Sequence, residues 1–264
     1  MSFNIGGNIW NGSMAKSLDY RTVMTRGLVL HIDPKTYYGN GTVTGEVSGD
    51  KTGTLNDAAV GTTTKDIWTF DGSDYITISN HADFTFGTGQ FAFQTWLKFT
   101  SFAPGGDTWV TALQHSSAEN RRNGIFLFYT GASPDLEWRM ECNWSGASGG
   151  GCYPAIIDLD PYVDLNEWHM YTVSREYNES ISMYIDDTLL QTDITADGAT
   201  GPRGVTYDTD WPDMNGDLLI ADYRAADHHE FQGQMGPVRI YKGSSLSSAQ
   251  VSHNYDIERL RFGV

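Results

Sequence analysis

Positive charge and cysteine are what this sequence has least of. Seventeen Lys and Arg stand against 33 Asp and Glu among 264 residues, a formal net charge of −16. Such a chain lacks the clustered cations that phosphate binding needs, which argues against non-specific nucleic-acid binding. It is also repelled by anionic membranes, and no apolar run approaches the ~20 residues that a membrane span requires. The acidity favours solubility and cation binding. The two cysteines, Cys142 and Cys152, are too few for a four-cysteine zinc site or a disulfide scaffold. They flank NWSGASGGG, so a bridge between them would staple a glycine-rich loop, and two free thiols are the even alternative. The N-terminus has no basic start followed by an apolar stretch, so synthesis in a cytosol, without export by the usual route, is expected.

What is present suits an all-β protein. Hydrophobic residues make up 39% and aromatics 13%, enough for a packed core, and 29 glycines suit many turns rather than long helices. Residues 1–26 are polar and irregular with scattered anchors Phe3, Ile5, Trp10 and Tyr20, which reads as an arm used for attachment or oligomer contacts. GLVLHID (27–33) reads as a first strand, and 34–65, rich in Gly, Thr and Asp, as largely loop. From residue 66 a two-residue period dominates. In QFAFQTWLKF (90–99), Phe91, Phe93, Thr95, Leu97 and Phe99 fall on one face, and Ala92, Gln94, Trp96 and Lys98 on the other. LEWRMEC, EWHMYTVSRE, SISMYID, TLLQTDI, LLIAD and PVRIY continue the set. Many strands without intervening helices imply antiparallel sheets, each with one side covered, stacked as a sandwich. Near the end, Ser247 with Gln250 three residues on marks a helix start, and Val251 and Tyr255 share its face. The domain reading is an arm over 1–26 and one sandwich domain over 27–264.

The chemistry-bearing groups are few. There is no nucleophile elbow, phosphate loop or zinc-protease motif. Glu137 and Glu141 share a strand face, but Arg139 stands between them where a glycosidase triplet would carry a carboxylate, and a solvated strand face explains them better. His228-His229-Glu230 would alternate faces on a strand, which makes them poor joint ligands. YDTDWPDMNGD (207–217) offers Asp208, Asp210, Asp213, Asn215 and Asp217, hard oxygen donors that suit calcium, though turn-forming acids are the plain alternative. Tyr207 and Trp211 lie in the same segment, and Trp144 and Tyr153 lie in or beside the cysteine-flanked one. Aromatic rings beside Asp and Asn suit carbohydrate recognition, while core packing is the commoner use of each ring. In FDGSDY (70–75), Asp71 and Asp74 read as turn-shaping residues rather than ligands.

Four segments in order, GLVLHIDP, WTFDGSDYITISNHADFTFGTGQFAFQTWLKF, EWHMYTVSREYNESISMYIDDTLL and FQGQMGPVRIYKGSSLSSAQVSHNYDIERLRFG, resemble the concanavalin A-like, laminin-G-type jelly rolls. The resemblance implies an antiparallel two-sheet jelly-roll sandwich with a short C-terminal helix. The opening MSFNIGG and the ending NYDIERLRFG resemble the version found in virion structural proteins of tailed bacteriophages. It implies a non-enzymatic capsid decoration or tail-fibre component. Such a protein would be made in the host cytoplasm, carried on the virion surface as a homo-oligomer and bound to other virion proteins through its arm. It would display a domain for host surface glycans. The alternatives are a soluble calcium-assisted carbohydrate-binding module and a laminarinase-like glycan hydrolase. Where relatives carry an acidic residue that contributes to a calcium site, this chain has Gly236-Pro237, which puts that site in doubt.

Overall fold

The structure, a computed structural model, describes residues 22–36, 42–45, 47, 51–56, 67–102, 109–115, 124–130, 136–143, 151–159, 161–176, 181–191, 216–222 and 231–264. In chain order the strands are β1 (Leu28–Ile32), β2 (Thr42–Thr44), β3 (Thr52–Asn56), β4 (Trp68–Asp71), β5 (Tyr75–Ile78), β6 (Phe91–Phe99), β7 (Trp109–His115) and β8 (Gly124–Thr130). They continue with β9 (Leu136–Asn143), β10 (Gly151–Asp158), β11 (His169–Arg175), β12 (Ile181–Ile185), β13 (Thr188–Gln191), β14 (Leu218–Ile220) and β15 (Gln232–Lys242), and helix α1 (Ser248–Phe262) follows. Among the described residues no helix is long and apolar enough to cross a membrane.

The strands form two antiparallel sheets. A seven-stranded sheet runs β1-β15-β6-β11-β12-β13, with β4 also paired to β15, and an eight-stranded sheet runs β10-β9-β8-β7-β14-β5-β3-β2. The segment 34–65, expected to be mostly loop, contributes β2 and β3 to the second sheet. Their Thr-rich, weakly apolar sequences form strands because β5 offers a hydrogen-bonding edge: Thr54 pairs with Thr77 and Leu55 with Ile76.

Between the sheets lies an aromatic core. Phe91, Phe93, Leu97 and Phe99 of β6 face Val110, Phe126, Phe128 and Trp138 of the other sheet, all fully or almost fully buried. Phe99 meets Phe128 edge-on at 4.8 Å between ring centroids, and Trp138 meets Tyr171 at 5.3 Å. The edge-on geometry sets ring hydrogens against π faces. The Tyr171 hydroxyl is buried in this cluster with no hydrogen-bond partner among the described residues, and burial pushes its pKa well up.

The alternation read in β6 places the residues as expected, but both of its faces are buried. Ala92 and Trp96, on the far side of the sheet, pack with Met170, Tyr184, Tyr241 and Leu246 against Val251 and Phe262 of α1. The helix begins as its sequence predicts, with the Ser247 N–H donating to Gln250 Oε1 at 2.9 Å, and ends on Gly263 in the left-handed conformation. Gly236 is needed for this docking: a Cβ there would lie 2.6 Å from Phe262 and 2.9 Å from Trp96. The position that lacks the relatives' acidic residue is therefore the point where helix and sheet approach closest.

Candidate functional site

The densest polar constellation among the described residues lies under α1. Arg239 of β15 makes a two-pronged pair with Glu258 of α1, one prong at 2.9 Å. Trp96 Nε1 donates to the same carboxylate at 2.8 Å. Gln94 Oε1 accepts from Asn254 at 2.8 Å and from Arg239 at 3.3 Å, and Gln94 Nε2 donates to Thr172 at 2.9 Å. Nearby, Arg261 grips Asp33 with contacts of 2.7 and 2.8 Å. Burial drives the Glu258 carboxyl up, but Arg239 and the bonds it accepts outweigh this and hold it below the usual carboxylate range. Asp33 behaves likewise: burial raises it, and Arg261 more than compensates. For Arg239, burial lowers the pKa and Glu258 raises it further, so the guanidinium stays charged. Burial, aided by Arg239, lowers His31 to about 4, so its ring is neutral at pH 7. These groups pair with one another across the helix–sheet junction, and the constellation fastens the helix to the sheet.

The turn carboxylates are likewise engaged. Asp71 Oδ1 accepts from the Ser73 N–H at 3.0 Å and from its hydroxyl at 2.8 Å, and Asp74 Oδ2 accepts from the Asp71 N–H at 3.2 Å. The pair shapes the turn after β4, as its sequence implies. Asp186, in the left-handed conformation at the β12–β13 turn, accepts from the Met170 N–H at 2.8 Å and lies 3.0 Å from His169 Nδ1. No group of three or more His, Cys, Asp or Glu able to hold a metal occurs among the described residues.

Of the residues singled out in the sequence, Asp217 is described, and its Oδ1 accepts from the Asn80 N–H at 3.1 Å. Asp208, Asp210, Asp213, Asn215, Tyr207, Trp211, Trp144 and the trio His228-His229-Glu230 lie outside the described residues, as do Phe3, Ile5, Trp10 and Tyr20. Tyr153 lies in β10, where Tyr153 and Pro154 together oppose the single residue Glu141, a β-bulge. Cys142 and Cys152 are direct cross-strand partners at the end of β9 and β10.

The outward side of the eight-stranded sheet is the other candidate surface. Residues directly paired across antiparallel strands share a face. Trp109 pairs with Tyr129, Tyr129 with Glu137 and Glu137 with Asp158, so four strands contribute one register row of two aromatics and two carboxylates. The row beside it holds Thr111, Leu127, Arg139 and Ile156. Rings next to carboxylates are what sugar recognition uses. Trp109, Tyr129 and Asp158 escaped the reading of single strands, because their common row exists only once four strands are in register. The alternation within GIFLFYT is the available hint.

A family model describing the concanavalin A-like lectin/glucanases superfamily, in its laminin-G form, matches residues 70–252. The chain belongs to this superfamily. No curated protein matches this member significantly by sequence. Solved structures resemble it in fold. The binding domain of botulinum neurotoxin serotype D superposes with a TM-score of 0.62 at 13% identity, over 89% of this chain and 53% of that one. A serotype D ligand-binding domain in complex with N-acetylneuraminic acid gives 0.59 at 13% identity, over 89% and 52%. Domain 4 of AbnA, an extracellular arabinanase from Geobacillus stearothermophilus, in complex with arabinotriose gives 0.54 at 14% identity, over 86% and 98%. The chain spans about half the length of the toxin domains it matches. The fold is thus lectin-like, and these neighbours are receptor-binding and carbohydrate-binding domains.

Proposed function

We propose that this laminin-G-type member is a non-catalytic virion structural protein of a tailed bacteriophage, a capsid decoration or tail-fibre component whose lectin-like domain adsorbs to host surface glycans. The observation that carries the reading is the contrast between the two outward faces. One is closed by α1. On the other sheet Trp109, Tyr129, Glu137 and Asp158 are successive register partners across four strands. The chain also enters the domain on the closed side: the Met24 N–H donates to Asn254 at 2.8 Å, and the Thr22 carbonyl lies 2.9 Å from His253 Nε2. An arm over residues 1–21 anchored by Phe3, Ile5, Trp10 and Tyr20 then holds the closed side to capsid or tail proteins in a homo-oligomer, and the opposite face points outward. In this reading Trp144, Tyr153, Tyr207 and Trp211 supply ring platforms for the glycan, and Asp208, Asp210, Asp213, Asn215 and Asp217 bind calcium.

An array carrying sialylated glycans and arabino-oligosaccharides, probed with the full chain with and without a chelator, tests the binding role. Binding that weakens with chelator supports it, and no binding in either condition removes it. Deleting residues 2–21 should leave the domain folded but absent from virions; normal incorporation would refute the attachment role.

One observation favours a second reading, a glycan hydrolase. Glu137 and Asp158 are directly paired across β9 and β10, and glycosidases work with a pair of Asp or Glu residues flanking the scissile bond. Hydrolysis of an arrayed glycan that disappears in both Glu137→Gln and Asp158→Asn would establish it over the binding role.

A further inference from the structure

We propose that Cys142 and Cys152 form a cross-strand disulfide that is open in the reducing cytosol and closes when the protein reaches an oxidising medium. Three observations converge on it. First, the two residues are direct antiparallel partners. Such partners have Cα atoms about 4.5 or 5.5 Å apart, depending on whether the pair is hydrogen-bonded, and both spacings fall inside the ~4.4–6.8 Å that a disulfide spans without moving the backbone.

Second, the pair sits where the ladder is weakest. β10 is an edge strand of the eight-stranded sheet, and its register shifts between Cys152 and Ala155. Pro154 lies in that bulge and has no N–H to give the ladder. Among the described residues, Gly151–Asn143 and Cys152–Cys142 are the pairs beyond the bulge. Two residue pairs cut off from the main ladder on an edge fray readily, and a covalent bond at Cys142–Cys152 holds them closed.

Third, the segment joining the two strands is NWSGASGGG between the cysteines, rich in Gly and Ser. Glycine gives the unfolded chain much conformational freedom, so a bond across this segment removes more entropy from the open form than it would across a stiff turn.

The chemistry balances with a disulfide oxidant of the glutathione class. One cysteine thiolate attacks the oxidant's S–S bond, forming a mixed disulfide and releasing one glutathione thiolate. The second cysteine thiolate then attacks the protein sulfur of the mixed disulfide and releases the other. The chain loses two hydrogens, and oxidised glutathione becomes two reduced molecules. In a cytosol kept reducing by glutathione the reaction runs backwards, and outside it runs forward.

The test is intact mass spectrometry and a non-reducing peptide map of the full chain equilibrated in oxidising and in reducing glutathione buffers. In the oxidising buffer the chain should be lighter by about 2 Da, refractory to a thiol alkylating reagent after denaturation, and should yield a cross-linked Cys142–Cys152 peptide. In the reducing buffer both thiols should alkylate. Cys142→Ser leaves a single thiol and should instead gain one glutathione adduct. Protease cleavage within residues 144–150 should slow in the oxidised wild type relative to the reduced one and show no such difference in Cys142→Ser. Two alkylatable thiols in the oxidising buffer, or a disulfide found only between chains, would overturn the proposal. These readouts involve no glycan, so they stand apart from the binding role.

Discussion

The two outward faces of the sandwich are built from the same kind of strand and finished in opposite ways. On the seven-stranded sheet the face holds Gln94, Trp96, Thr172 and Arg239, all buried, and each is answered by α1 or a neighbouring strand. On the eight-stranded sheet, Thr54, Asn56, Tyr75 and Thr77 of β3 and β5 are exposed or half-buried with no helix over them among the described residues, whereas Thr111 and Gln114 of β7 and Leu219 of β14 are buried. One face is consolidated by charge pairs that need each other. The other carries aromatics and carboxylates in one row. The helix and its charge pairs thus consolidate one side, and the proposed glycan surface lies on the other.

The contrast can be broken most strongly at Glu258. Glu258→Ala leaves the Arg239 guanidinium buried and unpaired, which costs about 3–5 kcal/mol, and the thermal midpoint by circular dichroism should fall by roughly 10 °C. A fall of only a degree or two would mean that water reaches the pair. Gly236→Ala is expected next in size, at about 1–3 kcal/mol in urea unfolding, because the new methyl must push Phe262 and Trp96 apart. The closed face should also make the protein acid-sensitive. The unfolded chain protonates His31 near pH 6.5, the folded one only near pH 4. Between those values the unfolded state binds more protons, so stability falls as pH drops from 6.5 towards 4. Asp33 and Glu258, held low in the fold, extend the loss to still lower pH as they protonate. His31→Gln should flatten the upper part of this acid limb, and an unchanged slope in urea midpoints between pH 6.5 and 4 would exonerate the ring. Tyr171→Phe removes a buried hydroxyl that has no partner among the described residues, so stability should hold or rise by up to about 1 kcal/mol. Smallest of all, Glu137→Gln on the outward row should move the midpoint by no more than ~0.5 kcal/mol while lowering glycan binding on the array.

Much of the frame was legible in the sequence, because period-two alternation and capping residues are local signals. β6 could be laid out residue by residue, and Ser247 with Gln250 marked the start of α1 before any tertiary contact was known. The family resemblance supplied the jelly roll. Illegible features are those made by partners distant in sequence. Nothing in TVT or TGTLN announces a strand until β5 pairs with β3 and β3 with β2. The double burial of β6 follows from a helix that begins about 150 residues later. Gly236 read as a missing acid, and only the nearness of Phe262 explains it. The Trp109–Tyr129–Glu137–Asp158 row needs four strands in register before it exists, and most of the residues first picked for ligand binding lie outside the described residues, in stretches whose sequence shows no alternation.

The position of β15 between β1 and β6 has a consequence for how the protein is made. The first of these three neighbours to leave the ribosome is β1, at residues 28–32, and β6 follows at 91–99, but the strand that joins them ends at residue 242. At synthesis rates of about 5–20 residues per second, β6 waits roughly 7–30 seconds for its neighbour. Until then β1 has no partner in its sheet, and α1, still later, cannot cover Trp96. The nascent chain therefore carries an unfinished sheet with open edges until β15 has been made, and a product cut short before residue 232 cannot close.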